Sequence, residues 1–170
     1  NAYLAGLSAG ADSGMPRSLS ELIAWNRQHA TAEMPWFGQE IFELAESRGG
    51  IDDPDYPPAL EASRRISRTE GLDAVFAANA LDAIVAPTAS PAWTTDLVNG
   101  DYGSGSATTF PAVAGYPHIT VPEGFVFGLP IGVSFFGRAW SEPTLLKLAY
   151  AFEQATRHRR PPAFLPTAKL

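Results

Sequence analysis

The 170-residue sequence contains no cysteine, which excludes disulfides, thiol nucleophiles and thiolate metal sites and leaves the compartment open. Charge is also sparse. Only 18% of the residues are Asp, Glu, Lys or Arg, and the 18 acidic residues outnumber the 12 basic ones. A net charge of -6 has nothing to offset phosphate repulsion, so nucleic acid is not an expected partner. No apolar run approaches the roughly 18 residues that a membrane-spanning helix needs. Residues 125–137 are shorter and broken by glycine and proline, so no membrane partner is expected. No secretory signal is visible at the start. The opening NAYLAGL, which has no initiator methionine, reads as though cut from a longer protein. Asp52, Asp53 and Asp55 cluster without histidines and without the calcium-loop pattern. They read as a solvated turn, and neither a metal nor any other cofactor is expected.

What is present is ordinary globular composition, 45% hydrophobic, in a length that fits one domain over residues 1–170. The organising stretch is residues 111–153, PAVAGYPHITVPEGFVFGLPIGVSFFGRAWSEPTLLKLAYAFE. It reads as a turn-rich approach, two apolar strands and one amphipathic helix. The first strand, from His118, stops at Pro122; the second is IGVSFF at 131–136, and Gly124, Gly128 and Pro130 lie in the connection. Eight residues of connection predict an antiparallel pair with a loose turn. Ser141 is the N-cap candidate of the helix, whose stripe is Leu145, Leu146, Leu148, Ala149, Phe152 and Ala155.

Upstream, residues 1–7 read as the end of a helix and residues 8–16 as a loop. Ser18 three residues before Glu21 forms a capping-box pattern, with Leu19, Leu22, Ile23 and Asn26 on one face. Residues 29–35 read as a break, and QEIFELAES at 39–47 as a helix closed by Gly49 and Gly50. Residues 59–80 read as one long helix with Leu60, Ile66, Leu72, Val75 and Phe76 inward, bent at Gly71. Residues 81–86 read as a buried strand. Residues 89–109 form the longest stretch without structure, a length that is usually functional or disordered.

The phrases GYPHITVPEG and GLPIGVSFFG, then Leu145, Leu146 and AYAFEQ, resemble the C-terminal part of the amidase signature family. The wording is closest to its peptide amidase-like and general amidase branches. LDAIVAPT at 81–88 is similar to the same family's penultimate core strand. The resemblance implies an α/β fold, with helices packed on a mixed β-sheet that is a C-terminal piece of an α/β/α sandwich. It implies a parent enzyme that hydrolyses a carboxamide to carboxylate and ammonia through a Ser-cis-Ser-Lys triad. In such a triad a neutral lysine takes a proton through a bridging serine while a second serine attacks the carbonyl, and backbone N–H groups hold the oxyanion.

No residue of this chain matches those catalytic positions. The lysines are Lys147, within the amphipathic helix, and Lys169, in the tail, and no Gly-Gly-Ser-Ser-Gly segment occurs. The resemblance places Thr109, Phe110, Gly115 and Tyr116 near the acyl pocket as substrate-side candidates; ordinary turn and core packing is the competing reading. Residues 102–107 (YGSGSA) resemble the serine loop only superficially and read as flexible loop, or else as a substrate-side rim. Ser134 misses the nucleophile-elbow pattern by one residue and reads as a strand residue, and His118 reads as a packing residue. Trp36, Trp93 and Trp140 suit core or rim contacts as well as ligand stacking. The expected partners are a small amide substrate, the missing N-terminal half, and further copies of the chain through exposed apolar surface. The rival functions are a non-catalytic binding or assembly module and a piece of a glutamyl-tRNA amidotransferase A-type subunit.

Overall fold

The structure, a computed structural model, describes residues 1–7, 14–103 and 105–164. The chain forms two compact units, residues 1–57 and 58–170. The first holds α1 (Ala2–Ala5), α2 (Leu19–Gln28), α3 (Ala30–Glu33) and α4 (Glu40–Glu46). Ser18 caps α2, its Oγ accepting from the Glu21 N–H at 3.2 Å. The reciprocal half of the box is displaced by one residue, because Glu21 Oε2 accepts from the Arg17 N–H at 2.6 Å rather than from the cap itself. Ile23 is the buried side chain of α2. The expected break after residue 29 is in fact the short helix α3, which shares His29 with the end of α2. Helix α4 closes at Ser47, whose Oγ donates to the Leu44 carbonyl at 2.7 Å, before Gly49 and Gly50 are reached.

Helix α5 (Tyr56–Arg64) starts earlier than expected, with Pro57 and Pro58 in its first turn, where missing N–H donors cost nothing. It runs into a π-helical segment, Arg65–Leu72, and then into α6 (Asp73–Asn79). The expected bend at Gly71 is present. Gly71 has φ -102° and ψ -108°, outside helical space, and a Cβ there would collide with the Ile66 carbonyl oxygen. This kink explains the altered face of the segment. Leu72 and Phe76 are buried as expected, while Ile66 and Val75 turn outward and Ser67 turns inward.

The sheet has three strands, β1 (Ile84–Pro87), β2 (His118–Val126) and β3 (Leu129–Phe136), in the order β1-β3-β2. Helices on a sheet are the arrangement expected. The mixed pairing is absent from these three strands, because β3 runs antiparallel to both neighbours and β1 and β2 share a direction on either side of it. Among the described residues strand β1 lies at an edge with alternating exposure, so the buried strand expected there is corrected. The turn between β2 and β3 is also tighter than expected. Strand β2 continues past Pro122 through a bulge between Pro122 and Gly124, which an edge strand tolerates. It then meets β3 through Phe127 and Gly128, both with positive φ (50° and 80°), the geometry of a two-residue hairpin turn.

The two faces of the sheet are covered differently. On one, Phe136 packs with Leu72, Phe76 and Ala114, joined by Ile84, Ala86, Ala107 and Tyr116. On the other, Phe135 meets Phe152 of α8 (Glu142–Thr156) edge to face, with ring centroids 5.9 Å apart. Leu145 and Ala149 are the buried residues of α8, whereas Leu146 is exposed. Ser141 occupies the N-cap position without making a side-chain cap bond; its buried Oγ lies against Gly137, which ends β3.

Candidate functional site

The stretch expected to be structureless ends in an unforeseen helix, α7 (Thr109–Ala114). Gly115 closes it at φ 67°, the left-handed conformation that favours glycine. The four substrate-side candidates are therefore divided. Thr109 and Phe110 stand in the first turn, and Gly115 and Tyr116 follow the last, separated by about 9 Å at the ordinary helical rise. Phe110 is 65% exposed and Val113 50% exposed, while Pro111 and Ala114 are buried. The helix thus presents one apolar side outward and one to the core.

Its far end is tied down by a polar network. The Tyr116 hydroxyl lies 2.8 Å from both carboxylate oxygens of Asp73, the first residue of α6. Arg68 Nε donates to the Ala114 carbonyl at 2.6 Å, and its guanidinium lies 5.6 Å from the Tyr116 ring centre. Desolvation, followed by the hydrogen bond to Asp73 and its negative charge, raises the Tyr116 phenol above the ordinary tyrosine value. Arg68 and Asp73 both belong to the kinked segment, so the bend at Gly71 sets where α7 ends. Sequence reasoning selected Tyr116 but missed both partners, which lie more than forty residues away in the chain.

The near end of α7 joins a cluster of hydroxyls on the same sheet face as Phe136. Ser134 Oγ donates to Thr88 Oγ1 at 2.8 Å, and Thr88 Oγ1 lies 2.6 Å from Thr120 Oγ1. The Thr88 backbone carbonyl accepts from Ser106 Oγ at 3.2 Å and from the Ala107 N–H at 3.1 Å. Ser106 Oγ and Thr108 Oγ1 are 2.6 Å apart. A Cβ on Gly132 would stand 2.8 Å from Thr120 Oγ1 and 2.9 Å from Thr88 Oγ1, so the two hydroxyls fill the space that its hydrogen leaves. Ser134 itself is fully buried, as a strand residue should be. Thr120 is exposed, which leaves a hydroxyl-lined shelf open to solvent beside the first turn of α7.

Among the described residues no basic side chain bonds any of these hydroxyls, so none is activated as a nucleophile by its described neighbours. His118 packs edge to face on Phe136, centroids 6.1 Å apart. Lys147 is exposed on α8, and Lys169 lies outside the described residues. In the YGSGSA stretch Ser104 lies outside the described residues, while Ser106 serves the shelf as above. Trp36, Trp93 and Trp140 are all exposed, and Trp93 Nε1 donates to Asp101 at 3.2 Å. Among the described residues no group of His, Asp and Glu is arranged to hold a metal ion, and no helix is long and apolar enough to cross a membrane.

Comparison with known proteins places this geometry. A family profile described as Amidase matches residues 3–146. A probable amidase of Arabidopsis thaliana is 38% identical over 151 residues, covering 88% of this chain and 26% of the relative. The A-type subunit of the glutamyl-tRNA(Gln) amidotransferase of Desulforudis audaxviator is 52% identical, but over 48 residues, 28% of this chain and 10% of the relative. Among solved structures, the peptide amidase in complex with the competitive inhibitor chymostatin superposes with a TM-score of 0.81 at 48% identity, covering 88% of this chain and 31% of the enzyme. The chain spans about a quarter to a third of the length of the amidases that it matches along most of its own length. Fold, strand phrases and family profile agree, and the chain belongs to the amidase signature family.

Proposed function

We propose that this chain is the C-terminal region of an amidase that hydrolyses a carboxamide C–N bond to a carboxylate and ammonia. In this reading the chain supplies scaffold and part of the substrate wall, while the nucleophile, bridging serine and lysine belong to segments outside it. The observation that carries the reading is the 48% identity and TM-score of 0.81 to peptide amidase over 88% of the chain. Thr109 and Phe110 stand on the wall, beside the hydroxyl shelf. Gly115 and Tyr116 act one step back, by fixing the far end of α7. The absent remainder of the enzyme is the partner of α7's outward side and of the open edge of β1, where Val85 is 59% exposed.

The test is ammonia release from a peptide amide, measured with the purified chain and with the longer polypeptide encoded in its reading frame. The longer protein is expected to release ammonia and the chain alone to match buffer. Turnover by the chain alone would overturn the assignment of the triad to other segments. Release by neither protein would favour the non-catalytic module. The amidotransferase match favours a second reading over 28% of the chain. That reading requires ammonia to be passed to an aminoacyl-tRNA partner instead of released.

A further inference from the structure

We propose, on the basis of the amidase reading above, that the hydroxyl shelf beside α7 holds a second amide group of the substrate, next to the one that is cleaved. Thr120 donates to its carbonyl oxygen and Thr108 accepts from its N–H, which makes both specificity-determining residues. Ser134 stands behind them as a positioning residue.

Ser134, Thr88 and Thr120 carry one hydroxyl proton each. Ser134 Oγ, on a fully buried residue, gives its proton to Thr88 Oγ1 at 2.8 Å. A second proton lies in the 2.6 Å contact between Thr88 and Thr120. The third has no acceptor among the described residues. On Thr88 it would sit on a half-buried oxygen over Gly132 whose lone pairs are both filled. On Thr120 it reaches the open side of the shelf, where a partner can accept it. The bonds therefore run in one direction, from Ser134 through Thr88 to an outward Thr120 O–H, and successive bonds of one sense strengthen that last donor.

The neighbouring pair runs the opposite way. Ser106 Oγ gives its proton to the Thr88 carbonyl at 3.2 Å, so its 2.6 Å contact with Thr108 uses the Thr108 proton. Ser106 Oγ also accepts from the Thr108 N–H at 3.1 Å. Thr108 Oγ1 is left with lone pairs and no proton to offer. The shelf thus has an unused donor at Thr120 and an unused acceptor at Thr108, both tied to Thr88, with the exposed Phe110 ring on the adjoining turn. A carboxylate has no N–H for Thr108, and an ammonium has no oxygen for Thr120. An amide matches both.

The experiment measures ammonia release by the longer polypeptide encoded in this reading frame, with three substrates. N-acetylphenylalaninamide carries the second amide, hydrocinnamamide lacks it, and the O-acetyl ester of phenyllactamide keeps its carbonyl but not its N–H. Thr120→Val preserves the shape of the side chain and removes the donor. It is expected to raise KM for the first and third substrates about three- to tenfold, the range of one neutral hydrogen bond, with kcat nearly unchanged and hydrocinnamamide unaffected. Thr120→Ser restores the donor and the KM. Ser134→Ala is expected to raise KM for the same two substrates by about two- to threefold, since it acts only through the chain of hydroxyls. In the unsubstituted protein the ester is expected to show a higher KM than the amide, and Thr108→Val to abolish that difference. Equal losses on all three substrates in Thr120→Val, with a lowered thermal midpoint, overturn the proposal and assign the shelf to packing. An unaltered KM in Thr120→Val overturns it too, as does a Thr108→Val protein that still separates ester from amide. An unsubstituted protein that releases ammonia from none of the three overturns the amidase reading itself, and the proposal with it.

Discussion

Tyr116→Phe removes one oxygen from the network that anchors α7, and its cost follows from the geometry. The hydroxyl lies 2.8 Å from both Asp73 oxygens, but it has one proton, so the contact is a single charge-assisted hydrogen bond shared between two acceptors. Such bonds contribute about 1.5–3 kcal/mol, and partial exposure at this site moves the expectation to about 1–2 kcal/mol. For a chain of this length that lowers the thermal midpoint by about 2–8 °C. The controls are Tyr3→Phe and Tyr150→Phe, whose rings are 77% and 65% exposed. Each control is expected to stay within about 0.5 kcal/mol of the parent. Urea denaturation of Tyr116→Phe, Asp73→Ala and the double variant gives the coupling energy, expected near 1 kcal/mol on the order of one partly screened hydrogen bond. A Tyr116→Phe variant no less stable than Tyr150→Phe, or additive single costs, would refute the tether.

The remaining predictions follow from single backbone or proton positions. Because the Tyr116 phenol is raised in the fold, the native state holds its proton above the pH at which the unfolded chain loses it. Stability is therefore expected to fall as pH rises from about 10 through the folded value, and a urea-midpoint profile of Tyr116→Phe should lack that part of the decline. Gly71→Ala places a Cβ against the Ile66 carbonyl oxygen, so the backbone of the kink must shift. A loss of about 2–3 kcal/mol is expected by urea denaturation. Phe127 occupies a left-handed position of the β2–β3 turn with its ring 78% exposed. Phe127→Asn is expected to stabilise by about 0.5–1 kcal/mol, read as a raised thermal midpoint.

Features that rest on short-range chemistry were legible in the sequence. Ser18 and Glu21 marked the start of α2, and Gly71 marked the bend. Ser134 and Phe136 read correctly as a buried strand, because each depends on neighbours within a few residues. The errors arose where tertiary packing overrode local signals. Pro122 is a strand breaker by propensity, yet an edge position and a bulge let β2 pass it and reach a tight turn. Residues 81–86 are apolar enough for a buried strand, but an apolar run does not reveal that, among the described residues, only β3 pairs with β1. Helix α7 was missed because Thr109, Pro111, Val113 and Gly115 are poor helix formers. It exists because Thr108 opens it beside Ser106, and because Arg68 and Asp73 secure its end.

That last case bears on the division of labour proposed for the amidase. Six residues cannot hold a helix by propensity, since nucleation alone is unfavourable at that length. Helix α7 is held at its start by the neighbouring Ser106 and the backbone of Thr88, and at its end by side chains from a distant part of the chain. At its start, the Thr88 carbonyl and Ser106 connect it to the hydroxyls above Gly132. At its end, the kink at Gly71 carries Arg68 and Asp73 to Ala114 and Tyr116. An element so short, so constrained and with Phe110 turned outward is costly to build for packing alone, because the exposed ring adds nothing to the core. The arrangement makes physical sense for a surface whose position matters to something bound against it, which is the role that the substrate-wall reading gives it.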